Sequence, residues 1–128
     1  MEYFIAKKIS KTYEEAIVLV TEKLKEIGFG VISEIDISKK LKEKIDTDFR
    51  KYTILGACQP YFAYKALTVN DKIGVLLPCN VVVQEIDSNT SEVIAMNPKD
   101  LIGAMNDDNL SELAIHIEES MKKLIENL

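Results

Sequence analysis

The sequence contains few of the residues from which metal sites and redox motifs are built. It has two cysteines, Cys58 and Cys79, and a single histidine, His116. The separation of the cysteines matches no zinc or redox spacing, and a Cys-x-x-Cys pair is absent. One histidine completes a zinc site only together with both cysteines, and nothing local places the three side chains together. We therefore expect no metal ion, and cysteines that stay reduced as in the cytoplasm.

Motifs that hold phosphate or carry a catalytic nucleophile are also absent. Gly28 and Gly30 do not form a phosphate loop, and the Lys-Ser or Lys-Thr pair of a Walker motif is missing. No nucleophile elbow is present. Carboxylates are numerous, but no pair of them stands out as an acid and a base. The sequence therefore shows no recognised catalytic constellation, which favours a protein that is not an enzyme. No cofactor can be identified from it.

The chain lacks an excess of positive charge and a long apolar run. It has 16 basic and 21 acidic side chains, so that its formal net charge is −5. Proteins that follow nucleic-acid phosphates usually carry a basic stripe, and we therefore expect no nucleic-acid partner. The apolar run over 73–77 is too short to span a bilayer, and residues 1–5 do not begin a signal peptide. These features predict a cytoplasmic protein without a membrane partner.

What the chain does contain is typical of one folded domain over 1–128. Its 128 residues, 47% of them hydrophobic, suffice for a buried core without a disulfide. Hydrophobic spacing predicts amphipathic helices over 13–27 and 110–128, each with one apolar face. The most strand-like segment is 73–86, which Pro78 divides into two strand halves. The predicted order is β-α-β-α-β-α-β-β-α-α, an α+β arrangement with helices over one face of a sheet.

Local signals place the starts of several helices. Thr12 and Glu15 have the spacing of a capping box at the start of the first long helix. Ser38 is predicted to cap a short charged helix over 39–45. Asn97 is predicted to cap another short helix.

Cys58 is expected where a strand enters a helix, because Pro60 suits a first helical turn. Backbone N–H groups at a helix N-terminus lower the pKa of a thiol, so a reactive cysteine or a ligand contact is one interpretation. The other interpretation of Cys58 is a small apolar residue that is simply buried.

Cys79 and Asn80 follow Pro78 inside an apolar stretch, where a bulge could turn either side chain toward a pocket. The alternative there is a structural bulge with a buried cysteine.

Over essentially its whole length, the chain resembles the domain of unknown function 302 family. The string Leu-Pro-Cys-Asn over 77–80 carries most of the resemblance, supported by Gly-Ala-Cys-Gln-Pro over 56–60 and by Asn97-Pro98. Gln59 differs from the Asn expected in many relatives. The resemblance implies a curved antiparallel sheet with helices packed mainly on one face, similar to one half of the TATA-box-binding protein fold. It also implies a homodimer, and it carries over no established catalytic residue.

Three hypotheses for the function remain open. The first is a non-catalytic ligand-binding or sensor module that acts as a homodimer and takes a small-molecule ligand. The second is a thiol-dependent redox or sulfur-handling protein that uses Cys79, Cys58 or both, and the third is a purely structural interaction domain. Convergence of the candidate side chains on one pocket would favour a site, whereas separate burial would favour packing. The candidate ligand-binding residues are Cys58, Gln59, Pro78, Cys79 and Asn80.

Overall fold

The computed structural model describes residues 3–103 and 106–128, and its centre is an open, five-stranded antiparallel sheet. The strand order is β1-β5-β4-β3-β2. The α+β class predicted from the sequence is therefore confirmed. The strands are β1 (Phe4–Ile9), β2 (Gly30–Asp36), β3 (Tyr52–Cys58), β4 (Cys79–Asp87) and β5 (Thr90–Met96).

Five α-helices and one 3-10 helix are formed by the described residues. The 3-10 helix, Asp71–Leu76, lies between the third α-helix and β4. The α-helices are α1 (Tyr13–Glu26), α2 (Ile37–Ile45), α3 (Pro60–Val69), α4 (Lys99–Gly103) and α5 (Asp108–Glu126).

Helices α1 and α5 form where the sequence predicts them, because local signals fix both their ends and their faces. The Thr12 side chain accepts from the Glu15 N–H, and the Glu15 carboxylate accepts from the Thr12 N–H, which completes the capping box. Gly28, just beyond the end of α1, has φ of +83°, a conformation that favours glycine. The Asp107 side chain accepts the first N–H groups of α5.

The main core lies between one face of the sheet and the apolar faces of α1 and α5. Alternate residues of β4 and β5 point toward these helices, and Val81, Val83 and Val93 are fully buried. From α1, Leu24 fills the facing layer with no exposed surface. Complete burial of a side chain of this size stabilises the fold by about 1.5–3 kcal/mol.

Two predictions of local structure are wrong. The helix predicted to follow Ser38 begins at Ile37, because the Asp36 carboxylate accepts from the Lys39 N–H; the Ser38 hydroxyl also donates to Asp36. The first strand half predicted before Pro78 is the 3-10 helix. Three residues complete one turn of such a helix, so that Ile73 is buried while Val75 is 88% exposed. In a strand these two residues would point to the same face, but a short, continuous apolar run does not by itself distinguish a strand from a helix.

A second, smaller apolar cluster joins α3, the 3-10 helix, α4 and α5. Phe62 of α3 packs against this cluster and also against the main core. The space between the two clusters is the site described next. The buried residues of the smaller cluster are Ala66, Ile73, Ile102, Leu110, Leu113 and Ala114.

Candidate ligand-binding cavity

A cavity of about 260 Å³ lies between the main core and the smaller cluster. One wall is the end of the sheet, where β3 ends at Cys58, β4 begins at Cys79 and β5 ends at Met96. These three strands are neighbours, so the fold brings their ends together. The opposite wall consists of apolar side chains of the helices, among them Phe62 and Leu110.

Gly56 and Pro78 shape the sheet side of the cavity. A Cβ atom on Gly56 would lie 2.8 Å from Cγ of Pro78, and still closer to the hydroxyl of Ser33. Only glycine therefore lets the Pro78 ring approach β3 this closely. Pro78 itself lines the cavity. The Gly-Ala-Cys-Gln-Pro and Leu-Pro-Cys-Asn strings thus pack against each other across two adjacent strands.

Gln59 caps α3 and also lines the cavity. Its side-chain oxygen Oε1 accepts from the backbone N–H groups of Tyr61 at 2.6 Å and Phe62 at 3.1 Å. Because Oε1 is engaged in this way, the side-chain NH₂ group is the part of Gln59 free to contact a molecule in the cavity. Asparagine is one of the preferred N-cap residues, so the Asn expected from the resemblance would serve the same cap.

The two cysteines line the same cavity, and both are free thiols. Cys79 lies opposite Ala57 in the register of β3 and β4 and is 5% exposed. Burial, and secondarily the neighbouring Cys58, raises the pKa of the Cys79 thiol to about 11. Cys58 is only half-buried. Cys79 is therefore a neutral thiol at physiological pH.

A family model described as "Domain of unknown function DUF302" matches residues 5–128. The chain belongs to the DUF302 family. The resemblance inferred from the Leu-Pro-Cys-Asn and Gly-Ala-Cys-Gln-Pro strings is confirmed. Both strings lie at the cavity of this DUF302 protein, Pro78 and Cys79 on one strand end and Cys58 and Gln59 on the next.

A solved structure shows the same fold. The crystal structure of an uncharacterised conserved DUF302 protein from Bacillus stearothermophilus is 32% identical, with a TM-score of 0.88. The alignment covers 98% of this chain and 98% of the other. A comparison with curated proteins found no match.

Four of the five candidate residues of this DUF302 protein meet at one place. Cys58, Gln59, Pro78 and Cys79 line the cavity, whereas the described lining does not include Asn80. Asn80 is exposed and lies opposite Gly56 in the register of β3 and β4. It follows Cys79 directly, and because successive residues of a strand point to opposite faces, its side chain points away from the cavity.

His116 lies outside the cavity. It is exposed on α5 and stacks on Phe62, with ring centroids 6.2 Å apart. Within 3–103 and 106–128, no group of three or more His, Cys, Asp or Glu side chains is placed to hold a metal ion. In the same ranges, no helix is long and apolar enough to cross a membrane.

Sequence reasoning missed the residues that close the cavity on the helix side. Phe62, Ala66 and Leu110 lie on helices, where apolar side chains predict packing and not an open space. Phe29, next to the turn that ends α1, also lines the cavity. No signal in the sequence distinguishes a helix face that fills a core from one that borders a void.

Proposed function

We propose that this DUF302 protein binds a small, mainly apolar molecule in the cavity and catalyses no reaction on it. The observation that carries the proposal is the apolar space of about 260 Å³, on which both sequence strings typical of the family converge. Folded interiors contain few voids larger than a water molecule, and a well-formed apolar pocket is the default site for a ligand. The protein would act as a binding or sensor module.

The size of the cavity limits the ligand. An engineered apolar cavity of about 150 Å³ stays dry and accepts benzene, whereas pockets for drug-sized ligands start near 300 Å³. A volume of about 260 Å³ suits a molecule between these limits, such as a bicyclic aromatic compound or a medium-length acyl chain. One chain supplies all the described lining residues, so binding does not require a second copy.

The polar groups of the lining would orient the ligand. The NH₂ group of Gln59 is a donor, and it favours a ligand that carries one hydrogen-bond acceptor, such as a carbonyl oxygen. The thiols of Cys58 and Cys79 are weak donors with polarisable sulfur atoms. The other lining residues are almost all apolar and would contact the ligand through their hydrocarbon side chains.

A thiol-dependent redox or sulfur-handling role has less support than ligand binding. Thiolates are the reactive form of cysteine, and burial keeps Cys79 protonated by raising its pKa to about 11. Cys58 would then have to act alone. The proposal includes a cytoplasmic, reducing location, which suits two thiols that are both free.

Native mass spectrometry and thermal unfolding test the proposal on the purified full chain. Ala66 is buried on α3 and lines the cavity, so that Ala66→Leu places three additional carbon atoms in the space. Thr68→Leu introduces the same side chain at an exposed position of the same helix and is the matched control. Indole and octanoate serve as probes, together with any molecule that copurifies.

Binding predicts that a probe or a copurified molecule raises the unfolding temperature of the wild type and of Thr68→Leu. The same addition should shift Ala66→Leu by much less, because its cavity is partly filled. The proposal is overturned if no molecule copurifies and neither probe shifts the wild type. It is also overturned if Ala66→Leu and Thr68→Leu respond equally.

A further inference from the structure

The cavity opens to solvent beside a β-bulge in β2. The register of β2 and β3 shifts between Val31 and Ser33, so that Ile32 is the extra residue of the bulge. A bulge re-aims the side chain that it carries, and Ile32 lines the cavity although it is 65% exposed. The other described lining residues are buried or half-buried. The mouth of the cavity therefore lies at Ile32.

The lining changes from half-buried polar residues to fully buried apolar ones. Cys58 and Gln59, with a thiol and a side-chain amide, are half-buried, and Cys58 pairs with the strand that carries the bulge. Phe29 and Leu110 are at most 2% exposed and supply only hydrocarbon, although the buried thiol of Cys79 also belongs to the lining. Apolar groups gain most where water is excluded, whereas polar groups lose least where water remains. A ligand with one polar end would therefore bind with its apolar end inward.

Two neutral polar side chains lie beside the mouth, on the face of the sheet that α1 and α5 leave open. Ser33 of β2 and Asn80 of β4 flank Gly56 of β3, and both are exposed. The Pro78 ring lies over Gly56 on this same face, since a Cβ atom at Gly56 would be 2.8 Å from Cγ of Pro78. Pro78 also lines the cavity. The two polar side chains and the cavity thus meet at the Pro78 ring.

Given the proposed function, on which this step depends, we infer that the ligand is amphipathic and that its polar group is uncharged. The apolar part occupies the cavity, and the polar group lies at the mouth, in contact with Ser33 and Asn80. A hydroxyl and a side-chain amide each offer a donor and an acceptor, so they suit a polar group that has both. A primary amide or an alcohol on an alkyl chain meets this description.

The lack of a counter-charge favours an uncharged group at the mouth. No described lining residue is Asp, Glu, Lys, Arg or His, and Ser33 and Asn80 are neutral. The formal net charge of −5 disfavours an anion further. A charged group that loses water without a counter-ion costs more free energy than a neutral group that forms hydrogen bonds. Octanamide should therefore bind more tightly than octanoate or octylammonium, which are charged at the end of a similar alkyl chain.

Isothermal titration calorimetry of the purified full chain with these three compounds and with indole tests the inference. In the wild type, the dissociation constant of octanamide should be lower than those of both charged compounds by about tenfold or more. Ser33→Ala and Asn80→Ala should each weaken octanamide about three- to tenfold, the effect of one lost hydrogen bond, and leave indole unchanged. Asn89→Ala is the matched control, because Asn89 is exposed at the opposite end of β4. This control should bind all four compounds like the wild type.

Nuclear magnetic resonance on the wild type adds a measurement that needs no variant. Octanamide should shift the side-chain NH₂ signals of Asn80 and leave those of Asn89 in place, whereas indole should shift neither. The inference is overturned if a charged compound binds as tightly as octanamide, or if Asn80→Ala and Asn89→Ala bind octanamide equally well. Indole binding would then still support the proposed function. If none of the four compounds binds, the proposed function and the inference fail together.

Discussion

The ring of Pro78 packs so closely on Gly56 that a Cβ atom there would lie 2.8 Å from Cγ of Pro78. Gly56 lies in β3 and Pro78 immediately precedes the adjacent strand β4, and the two residues belong to different family strings. Pro78 lines the cavity. Replacement of this glycine therefore changes both the stability and the proposed site.

Gly56→Ala is expected to lower the free energy of unfolding by about 1–3 kcal/mol, since overpacking forces the Pro78 ring and the Ser33 side chain to move. Urea unfolding followed by circular dichroism measures the effect. Gly30→Ala is the control, because no atom lies within 4 Å of a Cβ built at Gly30. If both variants lose the same free energy, close packing at Pro78 is not the reason for glycine at position 56.

Cys79 is expected to resist alkylation in the folded protein. Its pKa is raised from 9.0 to about 11, so that the thiolate fraction at pH 8 falls by about two orders of magnitude. Burial slows access of the reagent further. Reaction of the Cys58→Ser variant with iodoacetamide, with and without urea, isolates Cys79. Equal rates in the folded and the unfolded protein would contradict a buried, neutral thiol.

Glu118 is expected to make stability depend on pH. It is buried on α5, and its pKa is lowered first by a hydrogen bond from the Asn97 side chain, then by the nearby Lys122 and Lys99. A carboxyl group whose pKa is lower in the folded than in the unfolded state stabilises the fold above its unfolded pKa. The ordinary pKa of this carboxyl group is 4.5. The stabilisation is lost as the pH falls from about that value through the lower pKa of the folded protein.

Glu118→Gln should therefore cost up to about 1 kcal/mol at pH 7 and much less at pH 3. Urea unfolding at both pH values measures the difference. Glu119→Gln, at an exposed position of the same helix, serves as the control and should show neither effect. A loss of stability that is the same at pH 3 and pH 7 would mean that the charge of Glu118 is not the cause.

Local signals explain why much of the fold is predictable from this sequence. The Thr12–Glu15 capping box and the turn at Gly28 fix α1 through contacts between close neighbours in the chain. The 3-10 helix was missed because residues 73–77 form a short, continuous apolar run, and such a run does not distinguish a strand from a helix. Only packing against α3 distinguishes the two structures.

The candidate site is predictable only in part, because strand register decides which side chains face it. Pro78 and Cys79 line the cavity, whereas the next residue, Asn80, points to the other face. A shift of one residue would exchange them, and the register depends on partners distant in sequence. The helix-side wall, with Ile102 and Leu110, comes from elements whose meeting point no local pattern specifies.

The central claim is that the space between the two apolar clusters accepts a small apolar molecule. A crystal of the protein equilibrated with xenon under pressure tests this most directly, because xenon enters apolar cavities and scatters X-rays strongly. We predict a xenon atom within contact distance of Phe62, Cys79 and Leu110, weakened or absent in Ala66→Leu. A cavity that is closed by its own side chains, or that holds ordered water and no xenon, would contradict the claim.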